Sequence, residues 1–196
     1  AQKVTIPVTA FDYKAMKKGY QDGLTKEKEA LEMMQAEMDL ALKTYLQPKF
    51  EEYQAIMKAE EEVKAAKAIE EGVAFLAENK KKEGVITTES GLQYEIIKEG
   101  TGAKPTLADQ VKTHYHGTLI DGSVFDSSVD RGAPSTFPVG GVIKGWQEGI
   151  PLMSLGAKYR FYIPQELAYG MQSPSPKIPA GAVLIFDVEL IEINPK

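Results

Sequence analysis

The sequence predicts an α+β protein. A helical arm occupies residues 1–84, and a twisted antiparallel sheet wrapped on one short helix occupies residues 85–196. Three observations predict this. Up to Glu83 the chain is rich in Ala, Glu, Lys, Met and Leu, Pro is nearly absent, and apolar residues recur at helical spacing. After Gly84, Gly and Pro become frequent and apolar residues alternate with polar ones. Within that second half, only the stretch around Val142 to Trp146 returns to helical spacing.

In the arm, Asp12 is an N-cap and Gly23 a stop, which predicts a first short helix between them. Thr25, followed by Lys26, Glu27, Lys28 and Glu29, opens a second helix, and Leu31, Met34, Met38 and Leu42 line one face of it. Pro48 predicts a kink or a restart. Beyond it, Phe50, Tyr53, Met57, Val63, Ala66, Ile69, Val73 and Leu76 keep helical spacing, while nearly half of the residues from Glu51 to Glu83 are charged. Such a helix is too polar to be buried all round, so it reads as a solvated arm with one thin apolar stripe. The stripe is also the surface on which a second chain or an unfolded client would pack. Asn79-Lys80-Lys81-Lys82-Glu83 ends the arm, with Gly84 as the predicted C-cap.

Four period-two runs predict half-buried antiparallel strands. They centre on Leu92, Tyr94 and Ile96; on Val111, Thr113 and Tyr115; on Tyr159, Phe161 and Ile163; and on Leu184, Phe186, Val188 and Leu190. Asp121-Gly122, between Leu119 and Val124, signals a hairpin turn. Val142, Ile143 and Trp146 share one face of a short helix that Gly149 closes.

The bulk numbers narrow the function classes. A net charge of -5 over 196 residues speaks against nucleic acid as the main partner. No stretch is long and apolar enough to predict a membrane span. The absence of Cys excludes disulfides and thiolate metal sites. His114 and His116 stand at i, i+2 on one strand face, but without a third ligand they read as a surface pair, and no metal or cofactor is expected. Gly140-Gly141 lacks the Lys-Ser/Thr of a phosphate loop and reads as a turn. The chain starts Ala1-Gln2-Lys3, which fits a removed leader or a trimmed chain.

Four blocks carry a resemblance. They are Tyr115-His116-Gly117-Thr118-Leu119-Ile120-Asp121-Gly122-Ser123-Val124-Phe125-Asp126-Ser127-Ser128, Val142-Ile143-Lys144-Gly145-Trp146, Leu167-Ala168-Tyr169-Gly170, and Leu184-Ile185-Phe186-Asp187-Val188-Glu189-Leu190. In this order and spacing they resemble the FKBP-type peptidyl-prolyl cis–trans isomerases, over about residues 88–193. The charged helix running into Thr88-Glu89-Ser90-Gly91-Leu92-Gln93-Tyr94 is similar to the bacterial Mip-like branch of that family. The resemblance implies an isomerase acting on proline-containing, unfolded or partly folded proteins. It implies Trp146 as the floor of an apolar slot, Tyr115, Phe125, Val142, Ile143 and Phe186 as its walls, and Tyr169 as a hydroxyl for a ligand carbonyl. Asp126 would be the one charged group inside, with Arg131 as its partner, and Ile178 would stand on the rim. The resemblance further implies binding of macrolides such as rapamycin and a homodimer made through the arm. A bacterial periplasm is the expected compartment, with the cytoplasm or outer-membrane surface as alternatives. A holdase-type chaperone or binding module with little turnover is the alternative function.

Three departures from the family pattern qualify these expectations. Ser135 stands where eukaryotic members carry an aromatic wall, which implies a more open slot. The flap Met171-Gln172-Ser173-Pro174-Ser175-Pro176-Lys177-Ile178-Pro179 replaces a Gly-rich run, so its prolines should stiffen it and Lys177 should add charge at the rim. The chain also begins after the point where Mip-like proteins carry a further amphipathic helix.

Overall fold

The computed structural model describes residues 14–18 and 28–195, with side chains inside the long helix from Met34 onward. The first helix read between Asp12 and Gly23 lies mostly outside these residues, and only its stretch 14–18, which is helical, falls within them. The Thr25 helix start and the Leu31 side chain also lie outside them.

Helix α1 spans Lys28–Asn79, 52 residues, or about 78 Å at the standard rise. It runs on through Pro48 without a restart. The proline removes the bond to the Thr44 carbonyl, but this stretch is exposed and water can take the freed group. The chain divides into two compact units, residues 1–58 and 59–196. In the first, the apolar side chains of Leu40, Tyr45, Phe50, Tyr53 and Ile56 are exposed.

In the second unit, strands β1 (Ile86–Thr87), β2 (Gln93–Lys98), β3 (Gln110–Thr118), β4 (Val124–Ser127), β5 (Ser135–Pro138), β6 (Lys158–Ile163) and β7 (Leu184–Ile193) form one sheet. Its order is β1-β2-β6-β7-β3-β4, with every pairing antiparallel. β5 pairs with the first half of β3 and β4 with the second half, so both flank the strand that carries Tyr115. The hairpin at Asp121-Gly122 forms as read: Gly122 takes φ 83°, and Asp121 Oδ1 accepts the Ser123 N–H at 2.9 Å. Helix α2 (Lys144–Gly149) crosses the inner face. Leu92, Val111, Ile150, Met153, Phe161, Ile163, Leu184, Val188 and Leu190 fill the core between helix and sheet.

Three details differ from the sequence reading. Val142 and Ile143 are extended chain leading into α2, not part of it; the Ile143 carbonyl accepts the Trp146 and Gln147 N–H groups at 2.9 and 3.0 Å. The long helix stops at Asn79, before Gly84, because Asn79 turns to Gln93 (Nδ2 to Oε1, 3.0 Å) and Gln93 Nε2 takes the Leu76 carbonyl at 2.9 Å. The buried stripe on the last turns of α1 is Ala65, Gly72 and Asn79 with Ile69 and Leu76 partly covered, whereas Val63 and Val73 are 70% and 65% exposed. Small residues lie at the docking face because the helix sits directly on the sheet domain. Its end covers Gln93 and Tyr162, two positions that alternation alone assigns to solvent.

Candidate active site

β3 and β7 are neighbours with Tyr115 opposite Val188 and Gly117 opposite Phe186, so Tyr115 and Phe186 rise from the inner face two rungs apart. α2 brings Trp146 against both. Its ring lies 5.5 Å from Tyr115 and 5.2 Å from Phe186, with interplanar angles of 79° and 78°. These are edge-to-face contacts, the favourable arrangement for aromatic quadrupoles. The helix approaches this closely because glycines face the sheet at i and i+4. A Cβ at Gly145 would stand 2.5 Å from Ile163 Cγ2, and one at Gly149 would stand 2.5 Å from Phe161 Cε1.

Phe125, from β4, meets Phe186 edge-on at 5.3 Å and 85°. Val142, Ile143 and Phe125 pack partly buried against the same cluster. Ile178, expected on the rim, is instead 6% exposed and belongs to the buried cluster itself. Tyr169, which leads into the flap, is 38% exposed. The sequence reading missed Phe137. It lies 5.8 Å from Tyr115 and 5.7 Å from Trp146, at 88° to the indole, and closes the ring of aromatics. The signal was the alternation in Ser135-Thr136-Phe137-Pro138, too short to read as a strand alone. The Trp146 Nε1 is buried with no hydrogen-bond partner among the described residues.

One polar group of three closes one side. The Tyr115 hydroxyl donates to Asp126 Oδ2 at 2.6 Å, Arg131 Nη1 bonds Asp126 Oδ1, and Arg131 Nη2 reaches the Tyr115 oxygen at 2.6 Å. Arg131 Nη2 also lies 3.5 Å from Ser135 Oγ. Burial pushes the Asp126 carboxyl up, but the hydrogen bonds from Tyr115 and Arg131 outweigh it and hold its pKa below the usual 3.8. Burial, then the Asp126 hydrogen bond, raises the Tyr115 phenol; burial, then the Asp126 charge, raises the Tyr169 phenol. Asp126 is therefore a fixed anion at neutral pH and both phenols are neutral donors. His114 and His116 engage Ser128 and Ser127 at 3.1 and 2.9 Å. Among the described residues no cluster of three His, Cys, Asp or Glu is placed to hold a metal.

The arrangement is a buried cluster of aromatic rings with hydrogen-bonding groups at its edge. Among the described residues of the ring cluster no nucleophile stands beside a base, so the cluster is suited to binding a compact apolar ring rather than to covalent chemistry. Comparison with known proteins agrees with that chemistry. The family model for FKBP-type peptidyl-prolyl cis-trans isomerase matches residues 101–191, and the model for the domain amino terminal to it matches residues 1–96. An outer membrane protein MIP of Legionella longbeachae is 41% identical over 177 residues, 90% of this chain and 73% of the relative. This chain belongs to the FKBP-type isomerase family.

An FKBP-type isomerase FkpA of Aeromonas hydrophila is 50% identical over 183 residues, 93% of this chain but 65% of the relative. An FKBP-type 22 kDa isomerase of Escherichia coli is 57% identical over 123 residues, 60% of its length. The chain thus spans under two thirds of these two relatives. The crystal structure of FkpA from Escherichia coli shares the fold at a TM-score of 0.73 and 34% identity, covering 94% of this chain and 83% of that one. FKBP-type membership accounts for the ring cluster and the order of the four sequence blocks in one assignment.

Proposed function

We propose that this chain is a peptidyl-prolyl cis–trans isomerase that acts on proline-containing, unfolded or partly folded proteins. The observation that carries the reading is the closed set of Tyr115, Phe137, Trp146 and Phe186 rings beside the Tyr115–Asp126–Arg131 group. Rotation about an X–Pro bond crosses a barrier of about 18–20 kcal/mol because amide resonance is lost midway. The twisted amide is less polar than the planar one. A hollow that seats the pyrrolidine ring on Trp146 and strips water from the amide therefore favours the transition state over the ground state. Tyr169 holds a flanking carbonyl. Asp126 fixes the Tyr115 ring and Arg131 and transfers no proton.

The same hollow accommodates a macrolide such as rapamycin, more loosely than an aromatic-walled relative would, because Ser135 leaves one side open. The exposed apolar residues of α1, Leu40, Phe50, Tyr53 and Ile56 among them, support a homodimer or a client grip through the arm. They also favour the second reading, a holdase role that does not need turnover. A periplasmic home fits a folding catalyst of this kind. Among the described residues, no helix is long and apolar enough to cross a membrane.

The test is isomerisation of a short X–Pro peptide by the full chain, beside Phe186→Ala. Activity in the parent that falls at least about tenfold in the variant supports the isomerase. A folded but inactive parent overturns it, and protection of a client from aggregation would then identify the holdase.

A further inference from the structure

The flap that carries the exposed face of the hollow is a closed loop. Tyr169 leads into it, Gly170 starts it, and the Gly181 N–H returns to the Gly170 carbonyl at 2.8 Å. Inside, Ser173 Oγ donates to the Ser175 and Ile178 carbonyls at 3.0 and 2.8 Å, and the Ile178 N–H returns to Ser175 at 3.0 Å. Such a loop, with its ends joined and its own internal bonds, moves as a body about its base. The orientation of Tyr169 and Ile178 therefore depends on what holds Gly170 and Gly181.

The last turns of α1 hold that base. Gly181 has φ 75°, a conformation that strains any L side chain, and it has no room for one: a Cβ there would stand 2.5 Å from Ile69 Cγ1 and 3.1 Å from the Ala65 carbonyl. Two residues on, Val183 meets the same helix, where a Cβ at Gly72 would stand 2.7 Å from Val183 Cγ2. Ala65, only 2% exposed, and Gly72 are buried there on an otherwise solvated helix. Phe75 on Tyr162 at 5.9 Å and Asn79 on Gln93 continue the seam. The helix thus touches the chain at Gly181 and Val183, between the flap and β7, the strand that bears Phe186.

We infer that α1 is a clamp on the flap: Ile69, with Ala65 and Gly72, forms a positioning surface that fixes Gly181 and so sets where Tyr169 meets the residues flanking a bound proline. Ile69 touches no substrate and acts through Gly181. The functional half of this inference rests on the proposed isomerase activity; the clamp itself does not. A flap whose base is loose must be ordered when the peptide binds. The cost falls on binding of ground and transition state alike, so KM rises while kcat holds.

The experiment uses the full chain with Ile69→Ala, Ile69→Val and Gly181→Ala, and Val73→Ala as the control on the exposed side. Amide hydrogen exchange and peptide kinetics are read on each. In Ile69→Ala, exchange at Gly181, whose N–H closes the base of the flap, rises about tenfold while Tyr115 and Val188 keep their protection. KM for an X–Pro tetrapeptide rises about fivefold with kcat within about twofold. Ile69→Val keeps the branched Cβ with a methyl against Gly181 and restores both readouts. Gly181→Ala reproduces the defect without removing any side chain, and Val73→Ala matches the parent. Unchanged flap exchange in Ile69→Ala and Gly181→Ala overturns the clamp, as does protection lost equally across the sheet. A parent with no isomerase activity overturns the functional reading instead, and the exchange data still decide the clamp.

Discussion

Trp146 is the chain's one tryptophan, and it touches three other rings of the hollow. Truncation to Ala would remove floor and core together and cost about 3–5 kcal/mol of stability. Trp146→Leu keeps much of the volume and separates the two roles. It is expected to lower kcat/KM at least about tenfold while the thermal midpoint falls by a few degrees, which peptide kinetics and calorimetry measure together. The charged neighbours predict a pH profile. The folded pKa of Asp126 is depressed below 3.8, so the stability it lends is full above 3.8 and is lost as pH falls through the folded value. Tyr115 and Tyr169 are raised above 10.0, so what they lend is full below 10.0 and is lost as pH rises through their folded values. None of the three changes charge between those limits, and kcat/KM followed by NMR exchange should show no inflection from them between about pH 5 and 9. A bell-shaped profile centred in that range that Asp126→Asn abolishes would contradict an electrostatic role without proton transfer.

At the scale of elements, the short helix α2 is where packing and function meet. Gly145→Ala puts a methyl against Ile163 and lifts the helix, at a cost of about 1–3 kcal/mol for overpacking. Trp146 fluorescence should shift and kcat/KM should fall with it. A variant with parental fluorescence and activity would show that the sheet yields there. The sequence made most of this visible. β3 and β7 alternate cleanly because one face packs on a helix, whereas the burial of β2 and β6 breaks from alternation where α1 covers Gln93 and Tyr162; the paired blocks around Tyr115, Trp146 and Phe186 fall where the rings meet. What it hid has physical causes. Val142 and Ile143 have helical spacing, but their backbone is extended, and spacing alone does not separate a helix from its lead-in. Phe137 sits on a strand of four residues, too short to show a period. Ile69 and Leu76 were read correctly as apolar, but the helix face that docks is set by Ala65, Gly72 and Asn79, whose small size is the point and whose hydrophobicity is slight.

For the whole molecule, the place where the composition changes and the place where packing changes are different. Composition shifts at Gly84, but Phe75, Asn79, Gly72 and Ile69 all lie before it and cover Tyr162, Gln93, Val183 and Gly181. Burial and the Glu95 hydrogen bond push the Tyr162 phenol up to about 12, and its hydroxyl meets Glu95 Oε1 at 2.8 Å. A chain starting at Ala59 keeps this cover, and one starting at Val85 strips it. The shorter chain should expose the apolar faces of Tyr162 and Val183, exchange the Gln93 hydrogen bonds to α1 for water, and lose on the order of a few kcal/mol. Denaturant midpoints of the two truncations and the full chain measure this directly. The 59–196 chain should match the full one on an X–Pro peptide, because the hollow and the flap base are both intact. If the chain from Val85 is equally stable and active, the last turns of α1 lie on the sheet without supporting it, and the working unit begins where the composition changes.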